Sequence, residues 1–389
     1  MLIPLRRSLV PALLLLVLFT PAVQSAEPFR FPEDEYEGAQ LKYVNELPVL
    51  MVAGTPEEIG RQVAELGVKP ADRLLAYPRE SLERWGLGLA WPGILQIGKG
   101  MRKNFPPEQL REMESIAKAA GKGYDELIAG NTMFDIKKFF HCSTLLIEGS
   151  RSKTGGVLLG RNLDFPTLGY LNQYTLVTVY RPEGKRAFAA IGFPGAVGCL
   201  SGMNDAGLAI AVLESYGASD GSGKFDSEGT PYAMCYRRLL EECATVDEAV
   251  KLLREMHRTT RNNLALADKR GGVVLEITPA NVAVREPENG ICPCTNHFRT
   301  AELATATRCW RYERLSKIPA DSKIGLEEMA KKLHEVNQGS LTLQTMVFEP
   351  ETLKLHLAIG KCPTSALPMR TLELAPLFEQ PKPVAVGEE

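Results

Sequence analysis

Charge of one sign is what this chain most clearly lacks. Its 45 Lys and Arg against 47 Asp and Glu leave a net −2, so nothing points to a polyanion such as nucleic acid as partner. Cysteine is sparse: eight in 389 residues show no disulfide-scaffold spacing, leaving one or two bridges, or buried thiols acting as small hydrophobes. No internal repeat or long low-complexity tract is present, and only the residues from Gln380 onward read as a loose tail. The one sustained apolar stretch, 9–19, is too short to cross about 30 Å of hydrocarbon comfortably. With Arg6 and Arg7 ahead of it and Val23 and Ser25 at the −3 and −1 positions, residues 1–25 read as a cleaved export signal. That predicts an exported chain, periplasmic or secreted, with no membrane span after removal of the signal. No cysteine follows the cleavage position, so a lipoprotein anchor is unsupported.

Two familiar chemistries also lack a part. Cys292, Cys294 and His297 form C-x-C-x-x-H, but no fourth ligand stands nearby and Pro293 suggests a loop; a structural zinc site normally has four ligands. Gly217-Ala218-Ser219-Asp220-Gly221 matches G-x-S-x-G, yet a loop-like sequence follows where the nucleophile elbow needs a helix. A serine esterase using Ser219 stays as an alternative, as does a non-catalytic secreted protein. No metal and no cofactor is called for.

What is present fits an ordinary globular protein, 44% apolar and 24% charged. Residues 26–141 read as mostly helical. Thr55-Pro56-Glu57-Glu58 is a capping box with Pro at the first helical position. Pro106-Pro107-Glu108 starts a second helix, with Leu110, Met113, Ile116 and Ala117 on one face and Gly121 as its stop. A third begins near Tyr124. From Cys142 the texture changes to short β-branched runs at 142–147, 157–165, 174–180, 187–191 and 208–213. Helices at 231–242 and 246–256 follow, then strands at 264–267, 272–278 and 282–285. Helices at 308–316 and 326–336 and strands at 343–348 and 354–358 complete 142–389. Strands, helices, then strands again predict layered, mostly antiparallel α+β architecture.

Cys142 is the residue to weigh for chemistry. It heads the first strand, and a hairpin later comes Gly160-Arg161-Asn162-Leu163-Asp164. An ordinary thiol, with a pKa near 8.5, needs a base. His141 is adjacent, but consecutive strand residues point to opposite faces. A free α-amino group, with a pKa near 7.7–8.0, sits within the same residue if the His141–Cys142 bond is cut. Asp164 is then placed to orient the ammonium, and Arg161 to hold the thiolate or a carbonyl.

Motif order extends this. Gly54-Thr-Pro-Glu-Glu-Ile-Gly60, Leu110-Arg-Glu-Met-Glu-Ser-Ile-Ala117, Cys142-Ser-Thr144, Gly160–Asp164, Met203-Asn-Asp-Ala-Gly-Leu-Ala209, Asn263-Leu-Ala-Leu-Ala-Asp268, Thr295-Asn-His-Phe298 and Trp310-Arg-Tyr-Glu-Arg314 resemble, in order and spacing, the peptidase C45 family. It is the acyl-coenzyme A:6-aminopenicillanate acyltransferase group of N-terminal-nucleophile (Ntn) hydrolases. Choloylglycine hydrolase, penicillin V acylase and acid ceramidase are similar more distantly. The resemblance implies a four-layer αββα Ntn sandwich, self-cleavage before Cys142, and fragments that stay associated. It implies a small-molecule N-acyl amide or acyl-thioester substrate. It assigns Cys142 as nucleophile, Arg161 and Asp164 as its supporting pair, Asn263 as side-chain oxyanion donor and, as the later active-site arginine, Arg311, with Arg308 and Arg314 as neighbouring alternatives. Two positions depart from the pattern: Glu214 stands where Asn is common, and His141 where the acyltransferase has Gly.

Overall fold

The computed structural model describes residues 28–136 and 141–379; the expected signal segment and the tail from Gln380 lie outside them. Two sheets face each other across the main core. The larger has ten strands, adjacent in chain order: Asp34–Tyr36, Ala39–Val44, Leu47–Gly54, Leu176–Pro182, Phe188–Gly192, Ser201–Asn204, Ala209–Glu214, Asn262–Ala267, Gly272–Ile277 and Val282–Arg285. All its pairings are antiparallel except Leu47–Gly54 with Leu176–Pro182. The smaller sheet runs Ile291–Cys294, Ser143–Ile147, Leu158–Asp164, Thr342–Glu349, Lys354–Ala358, Arg370–Glu373, antiparallel throughout.

Period-two alternation explains why the strand after Cys142 is buried on both sides. Cys142 and Leu146 join the core between the sheets, whereas Leu145 and Ile147 join a second apolar cluster with Leu315, Met329 and Leu333. Those last three belong to the helices Trp310–Ser316 and Leu326–Glu335, which cover the outer face of the smaller sheet. Helices Pro56–Val63, Pro107–Ala120, Tyr232–Glu242 and Val246–Glu255 carry Ile59, Met113, Leu239 and Leu253 into the main core and flank the larger sheet. The result is the four-layer αββα arrangement that the resemblance implies.

Local signals act as their chemistry predicts. Thr55 and Glu58 form the reciprocal capping box, and Gly121 ends Pro107–Ala120 in the left-handed conformation at φ 64°. The N-terminal segment differs from its mostly helical reading in one respect: its first three strands, over 34–54, complete one side of the larger sheet. Pro293 does not make a loop. It sits in Ile291–Cys294, an edge strand, where a missing N–H disturbs no ladder on the open side. All eight cysteines are free thiols, six of them buried.

Candidate functional site

The site is built on one hairpin. Ser143 pairs with Asn162 and Thr144 with Arg161, and the His141 N–H extends the register by donating to the Asp164 carbonyl at 3.1 Å. Arg161 therefore shares the inner face with Cys142, and Asp164 closes the end of the neighbouring strand. All three are fully buried. Arg161 Nη2 lies 3.5 Å from Cys142 Sγ, and its Nη1 donates to the Leu200 carbonyl at 2.6 Å. Asp164 Oδ1 accepts from Thr342 Oγ1 at 2.6 Å, and Oδ2 faces Arg311 Nη1 at 3.8 Å.

Arg311, in the first turn of Trp310–Ser316, reaches the strand from its other side. Nη1 donates to the His141 carbonyl at 3.0 Å and the Cys142 carbonyl at 2.7 Å; Nη2 donates to Asn296 Oδ1 at 2.9 Å. The bond between His141 and Cys142 is thus gripped twice, its carbonyl by Arg311 and its following thiol by Arg161.

Electrostatics follow from burial. Removal from water pushes the Cys142 thiol up to about 11, against the pull of the Arg161 charge and a backbone hydrogen bond from Asp164. The Asp164 carboxyl is raised to about 7 for the same first reason, with Thr342, Arg311 and Arg161 opposing. His141 is lowered by desolvation and by Arg311. Several buried polar atoms here have no hydrogen-bond partner among the described residues: Asp164 Oδ2, Arg161 Nε, Thr144 Oγ1 and Asn263 Oδ1. Each such group costs about 1–3 kcal/mol while it stays unpaired.

Four predicted residues, Cys142, Arg161, Asp164 and Arg311, come together. Asn263 is placed differently. It lies on Asn262–Ala267, and Nδ2 donates to the Thr295 carbonyl at 2.9 Å and to the His297 carbonyl at 3.4 Å, so both its amide hydrogens are committed. Glu214 ends the neighbouring strand, fully buried, and its charge contributes to raising the Cys142 thiol. Ser219 does not sit on an elbow: its hydroxyl donates to the Glu302 carbonyl at 3.1 Å, and a loop follows. Cys292 packs against Arg285 Nη1 at 3.2 Å, while His297 Nδ1 meets Thr295 Oγ1 at 3.1 Å.

Sequence reasoning missed two residues. Asn296 bridges Arg311 and the Glu214 carbonyl, 2.9 Å on each side; the Thr295-Asn-His-Phe298 motif was its available signal. Thr342 opens a strand 178 positions from Asp164, and no local pattern marks it.

Three voids lie near these elements. An open cleft of about 1110 Å³ runs over His141, with Arg73, Glu80, Arg84, Tyr170 and Ser340 among its walls. An apolar cavity of about 110 Å³, walled by Val68, Leu74, Ile116, Leu127, Phe134 and Phe165, lies under the N-terminal helices. A narrower void of about 30 Å³ shares Phe134, Asn131, Phe193 and Ala196 with it and extends to Leu200, whose carbonyl holds Arg161.

Comparison with known proteins gives the following. The family model described as acyl-coenzyme A:6-aminopenicillanic acid acyl-transferase matches residues 151–362, more than half of the chain, including 161, 164, 263 and 311. An uncharacterized protein of Archaeoglobus fulgidus is 26% identical over 308 residues, covering 64% of this chain and 51% of its own length. The chain thus spans about half the length of the curated relative it matches. Among solved structures, an N-acylethanolamine-hydrolyzing acid amidase ortholog of Caenorhabditis elegans is 19% identical, with 60% of this chain and 100% of that one covered at a TM-score of 0.44. A conjugated bile acid hydrolase of Clostridium perfringens is 16% identical, with 62% and 95% covered at 0.42. A penicillin V acylase of Agrobacterium tumefaciens is 15% identical, with 56% and 83% covered at 0.33.

Proposed function

The chain belongs to the acyl-coenzyme A:6-aminopenicillanic acid acyl-transferase family, and from that premise we propose an exported Ntn amidohydrolase or acyltransferase that activates itself by cutting His141–Cys142. The observation that carries the reading is the double grip on that bond, Arg161 on the thiol and Arg311 on the carbonyl.

In self-cleavage, Cys142 Sγ attacks the His141 carbonyl carbon and its proton passes to the Asp164 carboxylate, whose Oδ2 is an unused acceptor. With a pKa near 7, Asp164 suits the transfer at neutral pH. Negative charge develops on the His141 oxygen, where Arg311 Nη1 already donates. The C–N bond breaks as Cys142 nitrogen takes a proton, leaving a thioester on Sγ. Water hydrolyses it to a His141 carboxylate, a free thiol and a free α-amine.

That α-amine is then the base for turnover. It takes the thiol proton, Sγ adds to the carbonyl of a linear amide, and the departing amine takes the proton away. The acyl-thioester passes to water or to an acceptor amine. Asn263 joins as oxyanion donor once its amide is released from the Thr295 carbonyl. Residues 1–25 supply the export signal, and the fragments ending at His141 and starting at Cys142 stay joined by the core they share.

Terminal-peptide mass spectrometry of purified protein tests the reading. The expected result is a fragment starting at Cys142 that is absent from Cys142→Ala, and an acyl adduct on Cys142 with a reactive acyl donor. A single active chain running through His141–Cys142 would overturn it.

A further inference from the structure

Thr342 owes its place beside Asp164 to a break in the ladder. In the smaller sheet Gln344 pairs with Leu163, and an unbroken register would set Leu343 opposite Asp164. Instead the register shifts, Leu343 is the extra residue, and Thr342 stands opposite Asp164. Directly paired residues of an antiparallel ladder put their side chains on one face. A bulge of this kind re-aims a side chain, and here it brings a hydroxyl to the carboxylate where an isobutyl group would stand. Leu343 goes to the main core. The Phe165 N–H donates to the Leu341 carbonyl at 2.7 Å and the Thr364 hydroxyl to the Thr342 carbonyl at 3.2 Å, so the bulge is pinned from two sides.

The Thr342 hydroxyl has a defined direction. Its oxygen accepts the Gln338 N–H at 2.7 Å. A backbone N–H only donates, and a threonine hydroxyl has one hydrogen. That hydrogen points to Asp164 Oδ1, 2.6 Å away. Thr342, Thr364 and Asp164 are all fully buried, so bulk water does not compete for it. In a protonated carboxyl the carbonyl oxygen is the better acceptor. With Oδ1 receiving the hydroxyl hydrogen, an arriving proton belongs on Oδ2, which has no hydrogen-bond partner among the described residues.

We infer that Thr342 is a positioning residue for self-cleavage: oriented by the Gln338 N–H, it favours the ionised Asp164 and reserves Oδ2 for the proton of Cys142. The inference rests on the self-cleavage reading above. As the S–H bond breaks and Sγ bonds the His141 carbonyl carbon, the proton goes to Oδ2. The same proton passes to the Cys142 nitrogen as the C–N bond breaks, and Oδ1 keeps its hydrogen bond throughout.

The test uses full-length precursor from cell-free synthesis, shifted to graded pH, and times the fragment starting at Cys142. Cleavage needs ionised Asp164, so its rate rises with pH through about 7. Thr342→Val loses a hydrogen bond to the charged form, which moves the rise upward by about one pH unit. Cleavage is then roughly tenfold slower at about pH 6 and close to wild type at about pH 9. A merely structural loss would slow cleavage at every pH and leave the rise in place. Thr342→Ser, which keeps the hydroxyl, restores the wild-type profile. A second measurement leaves Thr342 intact: the infrared difference between Cys142→Ala and Cys142→Ala/Asp164→Asn at about pH 5 isolates the protonated carboxyl. Its C=O stretch should lie at the lowered frequency of a hydrogen-bonded acid. A free-acid C=O stretch, or an unmoved pH profile in a Thr342→Val chain that still matures, would overturn the inference and leave self-cleavage standing. If wild type never yields the fragment starting at Cys142, the self-cleavage reading falls and this one with it.

Discussion

Replacing Arg311 with Met isolates the charge that meets the His141 carbonyl, because the chain length is kept and the guanidinium is lost. Removing one donor from an oxyanion site slows acyl transfer by about 10²–10³, or about 2.7–4 kcal/mol. Here Nη1 is shared between the His141 and Cys142 carbonyls, at 3.0 and 2.7 Å, which points to the lower end, about a hundredfold slower cleavage. The ground state is also affected. Arg311 is 7% exposed, and carbonyls left unbonded cost about 1–3 kcal/mol each. Appearance of the fragment starting at Cys142 after a pulse of labelled synthesis measures the rate directly. Arg311→Lys keeps the charge but not the fork, and should fall between wild type and Met. Conversion of a folded Arg311→Met precursor at the wild-type rate, with folding checked by a cooperative thermal transition, would refute the assigned role.

Three further outcomes follow from buried charge. Asp164 is raised from 3.8 to about 7 in the folded chain, so the folded state binds more protons than the unfolded one between those values, and stability falls as pH rises through them. In a Cys142→Ala background, Asp164→Asn should therefore lose less thermal stability between pH 4 and pH 7 than the parent, and an identical slope would contradict the burial argument. Arg237 and Glu112 are both buried, 2.6 Å apart, and join the helix Pro107–Ala120 to Tyr232–Glu242. Arg237→Ala should lower stability by about 3–5 kcal/mol and lower the urea concentration at which processed fragments separate on a sizing column. Finally, with the Cys142 thiol pushed up to about 11, an uncut precursor should react with iodoacetamide at pH 7.5 far more slowly than processed protein, whereas Ser219→Ala should alter neither rate.

How far the sequence reaches depends on range. Cys142, Arg161 and Asp164 were legible because a hairpin is local: 19 to 22 positions and a period of two fix who faces whom. Arg311 was accessible through motif order rather than spacing, since 169 positions separate it from Cys142. The orientation of Asn263 was not legible, because it depends on where the carbonyls of residues 295 and 297 stop after a long excursion. Strands over 34–54 escaped notice although Ala39–Val44 alternates visibly and Asn45 and Glu46 take left-handed φ values of 48° and 65°. Their partner, Leu176–Pro182, lies more than a hundred residues away, and the helices that follow them dominate the local pattern. Pro293 misled for the opposite reason: proline argues against a central strand, but not against an edge one.

The parallel pairing of Leu47–Gly54 with Leu176–Pro182 changes what breaking His141–Cys142 would mean for the molecule's history. Once cut, the ten-stranded sheet would be assembled from two polypeptides, so its unfolding would release two chains and its refolding would become a bimolecular association. Recovery would then depend on protein concentration, where the uncut precursor refolds as a single chain. Loss of the smaller piece would bare Leu176–Pro182 as a long apolar edge, a template for aggregation. Maturation would thus convert a reversible fold into one persisting chiefly because its opening is slow.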